Sequence, residues 1–122
     1  MADGFSAALA NTAVTAAATA SADIALATGD PGSAGTANPS SVTTRQGLTW
    51  GTASGGVIAI TNTPTWSSWA GTSGEVVTDL ATWSAPTGGT FGFSVQATAS
   101  VTMHTGDTLT LASLTVTIPT AS

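Results

Sequence analysis

The sequence predicts a mainly β fold: an antiparallel, jelly-roll-like β-sandwich preceded by a short alanine-rich helix or arm. Three observations carry this expectation. From Arg45 onward, short runs rich in threonine, valine and isoleucine are separated by turn signals at regular spacing, the pattern of many short strands forming two packed sheets. Period-two alternation is clean at Leu114, Val116 and Ile118 against Thr115 and Thr117, and again at Phe91, Phe93 and Val95. Ahead of these runs, alanine dominates the chain up to Ala20, and alanine is the best helix former.

Taken in order, residues 4–20 are expected to be helical, with Asp3 as N-cap and Phe5, Leu9, Ala13 and Ala16 on one weakly apolar face. The threonines at 12, 15 and 19 oppose this, because β-branching costs helix stability, and an arm ordered on a neighbour is the alternative. A short strand at 24–28 leads into a long loop at 29–44. That loop is rich in Gly, Pro, Asn, Asp and Ser, each a turn former for its own reason. Strands follow at 45–50, 56–62, 65–69, 75–83, 90–95, 97–103, 108–111 and 114–118. Turn signals lie between them at Ser54-Gly55-Gly56, Gly71-Thr72-Ser73-Gly74, Pro86-Thr87-Gly88-Gly89 and Thr105-Gly106-Asp107. The whole is expected to be one compact domain, with residues 1–44 as helix or arm plus loop and residues 45–122 as the sandwich.

Charge excludes whole classes of function. Only 6% of the residues are charged, one arginine against six acids, for a net charge of −5. A nucleic-acid binder needs lysine and arginine to displace counterions from phosphate, and Arg45 alone does not supply them. Binding to anionic lipid is excluded on the same ground. No apolar run approaches the eighteen or so residues that span a bilayer, and the start Met-Ala-Asp-Gly lacks the basic region of a secretory signal. With no cysteine, disulfides and thiolate metal sites are absent, and no cofactor is expected. Alanine, threonine, glycine and serine make up more than half of the chain, so its own core is thin. Strand edges without lysine then point to burial between copies, with a homotrimer the preferred assembly.

The residues with chemical potential are few. His104 and Asp107 are close in sequence, but no Gly-x-Ser-x-Gly elbow supports a triad, and no enzyme activity is expected. Glu75 and Asp79 would lie about 13 Å apart along one strand face. Asp30 and Pro31 sit in the loop, with Asp30 a candidate partner for Arg45 and, with loop carbonyls, a weak calcium candidate. Arg45 is expected to pair with a carboxylate or to bond to carbonyls. Trp50, Trp66, Trp69 and Trp83 are expected in the core or at subunit contacts, which aromatics favour; a sugar-binding face is the alternative.

Several segments carry a family resemblance. The opening Met-Ala-Asp-Gly-Phe-Ser-Ala-Ala-Leu-Ala-Asn, then Thr28-Gly29-Asp30-Pro31-Gly32, Gly35-Thr36-Ala37-Asn38, Thr43-Thr44-Arg45-Gln46, Leu80-Ala81-Thr82-Trp83, Thr87-Gly88-Gly89-Thr90-Phe91 and Gly106-Asp107-Thr108-Leu109 resemble a family of small virion proteins of phages infecting actinobacteria. Members of that family are commonly labelled tail fibre or minor tail protein, and similar small proteins decorate capsids. Many carry a histidine before Thr-Gly-Asp-Pro-Gly, where this chain has Ala27. The resemblance implies a structural virion protein. Compact size and the absence of a shaft repeat favour a capsid decoration protein bound to the major capsid protein, with residues 1–44 lying on the capsid or on neighbouring subunits and the sandwich facing solvent. A tail-fibre or tail-tip component is the alternative, and a carbohydrate-binding module is the alternative of another class.

Overall fold

A computed structural model describes residues 3–121; the first two residues of the opening motif lie outside them. The fold is mainly β, with antiparallel sheets, one N-terminal helix and no barrel closure. Helix α1 spans Ala7–Thr19. The strands are β1 (Asp23–Ala27), β2 (Gln46–Gly47), β3 (Val57–Ala59), β4 (Thr65–Trp66), β5 (Glu75–Trp83), β6 (Phe91–Met103), β7 (Leu109–Thr110) and β8 (Thr115–Thr117). Four of them form one sheet in the order β2-β1-β5-β6, while β3 pairs with β8 and β4 with β7.

The helix starts later than expected and buries a different face. Ser6, not Asp3, is the N-cap, its hydroxyl accepting from the Leu9 backbone N–H at 3.2 Å. The preceding backbone is committed elsewhere: Phe5 N–H donates to the Pro119 carbonyl, and Ala121 N–H to the Phe5 carbonyl at 2.7 Å. The chain is thus held against the C-terminal segment until Ser6 releases it into the helix. Ala10, Val14 and Ala18 form the buried stripe, whereas Phe5 and Leu9 are exposed. The reason is close approach, since a Cβ on Gly56 would lie only 3.1 Å from that of Ala10. Small residues fit there; a leucine does not. Val14 and Ala18 pack with Ile58 of β3, and Val116 and Ile118 flank them.

The main core fills the space between the four-stranded sheet and the β4–β7 ladder. Ile24 and Leu26 of β1, Val77 and Leu80 of β5, and Met103 at the end of β6 meet Trp66, Trp69 and Leu114. Trp50 touches both this cluster and the helix cluster and so joins them. The two strands expected at 90–95 and 97–103 are one, β6. The break is a bulge: residues 97–100 stand opposite Thr78 alone, between the pairs Asp79↔Gln96 and Val77↔Val101. Extra residues on one strand of a pair bend it without ending it.

Residues 3–44 are woven into this framework. Strand β1 lies between β2 and β5, paired with β5 from Asp23↔Trp83 to Ala27↔Asp79. The loop at 29–44 folds back over the outer face of the same sheet, where Ala25, Ala27 and Ala81 keep the surface low. Ala27, in the place of the family's histidine, is buried and bridged to Pro39.

Candidate functional site

The chemistry-bearing residues gather where the loop meets the sheet. Its near end is a closed turn: the Asp30 carboxylate accepts from Gly32 N–H at 2.9 Å, and the Asn38 amide donates to the Asp30 carbonyl at 2.9 Å. Thr28 N–H donates to the Asn38 carbonyl at 2.8 Å, and Pro31 is fully buried. Asp30 therefore shapes its own loop, as aspartates in turns commonly do.

The far end is clamped by Glu75 at the start of β5. One carboxylate oxygen accepts from the Ser40 hydroxyl and the other from Ser41 N–H at 2.9 Å. The Ser41 hydroxyl in turn accepts from Thr72 N–H at 2.9 Å. Burial alone would raise the Glu75 pKa; the hydrogen bonds from Ser40 and Ser41 outweigh it and leave the carboxyl below its ordinary 4.5. This clamp was not anticipated from the sequence. Its one signal is that Glu75 is the single glutamate of the chain.

Arg45 takes the carbonyl option. Its guanidinium donates to the carbonyls of Ala85 at 2.8 Å and Gly88 at 2.7 Å, so Asp30 is not the partner these bonds use. The hairpin between β5 and β6 supplies both acceptors, and Arg45 thereby ties it to the end of the loop. Its Cζ also sits 4.2 Å from the centroid of the Trp83 ring, a cation–π contact. Phe91 packs at a tilt on the same tryptophan, ring centroids 5.6 Å apart. Gly35 approaches Phe91 so closely that a Cβ there would overlap the ring.

The other three tryptophans are structural. Trp66 and Trp69 are buried, and their indole N–H groups donate to the Thr44 and Thr72 carbonyls at 2.9 and 3.1 Å. Trp50 is half-buried and donates to the Ser21 carbonyl at 2.9 Å. Trp66 and Trp69 are closed off from solvent, and Arg45 lies over the half-buried Trp83 ring.

The remaining polar candidates do not converge. Asp107 accepts from the backbone N–H of His104 at 2.9 Å, and Asp107 N–H donates to the His104 carbonyl at 3.0 Å. The carboxylate caps a turn and does not orient the imidazole. Asp79 accepts from its neighbour Thr78 at 2.7 Å, while Glu75 serves the loop. Among the described residues, no cluster of three or more histidines and acids is placed to hold a metal ion. No buried side-chain nitrogen or oxygen among them lacks a hydrogen-bond partner. What these contacts do is fasten one segment of the chain to another.

Comparison with known proteins agrees with a structural role. A search of curated proteins returns no match. The family model described as podophage GP4 fiber I protein gp80 matches residues 3–119. The phage-particle part of the sequence resemblance thus stands; the family is described by a fibre protein of a podophage, not by a capsid decoration protein of actinobacterial phages. With nearly the whole described chain matched, the protein belongs to the podophage GP4 fiber I protein gp80 family and is a structural protein of the phage particle.

Proposed function

We propose that this protein is a non-enzymatic component of a phage fibre carried on the tail, and that it works as a homo-oligomer with three copies the preferred number. The family match over residues 3–119 carries the reading. The structure supports it by what it leaves for other roles. Capsid decoration, with the major capsid protein as partner, had residues 1–44 lying on the capsid or on neighbouring subunits. Here β1 is an interior strand of the main sheet, and the loop after it is spent on that sheet's outer face. The glycan-binding alternative relied on tryptophan faces; two of the four rings are buried and Arg45 lies over a third.

The test is localisation on purified particles. Gold-labelled antibody against the chain should mark the tail in electron micrographs. Quantitative mass spectrometry should give far fewer copies than of the major capsid protein. Label spread over the head, at copy numbers comparable to that protein, would overturn the tail placement and restore capsid decoration. Absence from particles would reject both.

A further inference from the structure

The four-stranded sheet ends in an open edge. Among the described residues, strand β6 pairs with β5 on one side and with no strand on the other; its 13 residues run alongside the nine of β5, leaving an edge roughly 30 Å long by the strand rise. Beside it the sandwich gapes. A groove of about 330 Å³ opens between β6 and β7, with Val95, Ala97, Ala99 and Val101 on one lip and Leu109 and Leu111 on the other. Trp66, Val77 and Leu80 form its floor. The bulge at 97–100 lies at the middle of this lip, and Val101 is exposed.

Charge singles out the occupant. Residues 80–106 hold no aspartate, glutamate, lysine or arginine, and the groove lining holds none either. Every charged side chain of a chain carrying −5 lies elsewhere in the sequence. A partner recognised through charge finds nothing to hold here. A second copy brings the same neutral, apolar edge; the nearest carboxylates along the sheet, Glu75 and Asp79, lie one strand back on β5, opposite Met103 and Gln96. Natural edges are guarded by lysine, proline or an inward charge; β6 has none of these and only its bulge. The area is modest: a strip about 30 Å long and about 15 Å wide, one sheet spacing plus a layer of side chains, covers roughly 450 Å² per copy, about 900 Å² in all, the size of a small interface to which the groove side chains must add.

We infer that the β6 edge and the groove beneath it are the face through which copies of this chain assemble. The inference rests on the homo-oligomer part of the reading above; edge-to-edge pairing brings the same patch of two copies together and closes at two, so this face accounts for a pair of copies and not for the preferred number of three. Strand backbone supplies hydrogen bonds along the edge, and apolar side chains at the lip close the groove.

The chain's lack of cysteine makes the test clean. The mass of the wild type by light scattering should be a multiple of the 11.8 kDa chain. Under mild oxidation, Ala99→Cys should form covalent pairs at least tenfold faster than Ala8→Cys on the exposed side of α1. Ala99→Lys should weaken self-association by at least tenfold, while Ala8→Lys leaves it unchanged. A wild type with the mass of one chain overturns both the oligomer and this face. An oligomer in which Ala99→Cys pairs no faster than Ala8→Cys overturns the face alone. Particle labelling decides the fibre assignment independently of either result.

Discussion

Strands β1 and β6 belong to the same sheet and live in opposite surroundings. β1 is paired on both sides, and four of its five residues are buried, Ile24 and Leu26 toward the core and Asp23 and Ala27 on the loop side. β6 is paired on one side, and along most of its length exposed residues alternate with half-buried ones. Neither strand carries a basic residue, and Asp23 is the one charged side chain in the two. The difference is what covers them. β1 is covered by the chain's own loop, held by Glu75 and Arg45. β6 has no such cover, and its backbone groups remain available. The lesson is that low charge here serves two ends: it lets a loop lie flat on a sheet, and it leaves one edge free of repulsion between copies.

The largest way to sharpen this contrast is at the core. Trp69 is 2% exposed, and its backbone exchanges hydrogen bonds with Gly106 and Asp107, both at 2.9 Å. Trp69→Ala should cost about 3–5 kcal/mol, a large part of the roughly 5–15 kcal/mol that holds a typical domain together. Val101→Ala at the groove lip should cost about 1 kcal/mol or less, because its side chain is already partly in water. Urea midpoints of the two variants, measured on the monomer, check this. Equal losses would mean that the β6 lip is core and the contrast is false.

Arg45 comes next. Arg45→Ala removes two charge-assisted bonds and the contact with Trp83, for an expected loss of about 2 kcal/mol. Arg45→Lys should recover only part of the loss: both carbonyls accept from the single nitrogen Nη1, a role an ammonium can fill, but it has no planar group to lay over the Trp83 ring. Thermal unfolding of the pair decides it; full rescue by lysine would reduce Arg45 to a point charge.

Glu75 gives a pH signature. Its folded pKa lies below 4.5, so its contribution is present above about pH 4.5 and is lost as pH falls through the lowered value. Glu75→Gln should cost about 1 kcal/mol near neutral pH. The gap to wild type should narrow as the pH drops from about 6 to about 3. Denaturant midpoints at the two pH values measure it. A gap that does not change would remove the ionised carboxylate from the clamp.

The sequence made the fold class, the bounds of β5 and the existence of most strands legible, because threonine and valine alternation against glycine turns is a local signal. The helix was legible in kind but not in face. Apolarity pointed to Phe5 and Leu9, while the fold buries Ala10 against Gly56, where nothing larger fits, and Val14 and Ala18 against Ile58. The loop clamp was invisible, since Ser40 and Glu75 are 35 residues apart and meet only through the pairing of β1 with β5. Arg45 was recognised as structural, but its carbonyl acceptors belong to a hairpin 40 residues on. Chemistry visible in residue types needed partners that only the topology supplies.

The smallest expected effect is the most discriminating one. Ala99 lies in the bulge of β6, exposed to water and opposite no partner of its own. A lysine there should change monomer stability by no more than about 0.5 kcal/mol, as surface substitutions usually do. The same substitution on β1 would be prohibitive: at Ala27, 3% exposed and covered by the loop, the ammonium would have to be buried or the loop lifted, at a cost of several kcal/mol. Comparing Ala99→Lys with Ala27→Lys in one background, by urea unfolding of the dissociated chain, therefore places the two strands on a single scale. If Ala99→Lys proved as damaging as Ala27→Lys, the β6 edge would be buried within the chain itself, and no free edge would remain for a second copy to cover.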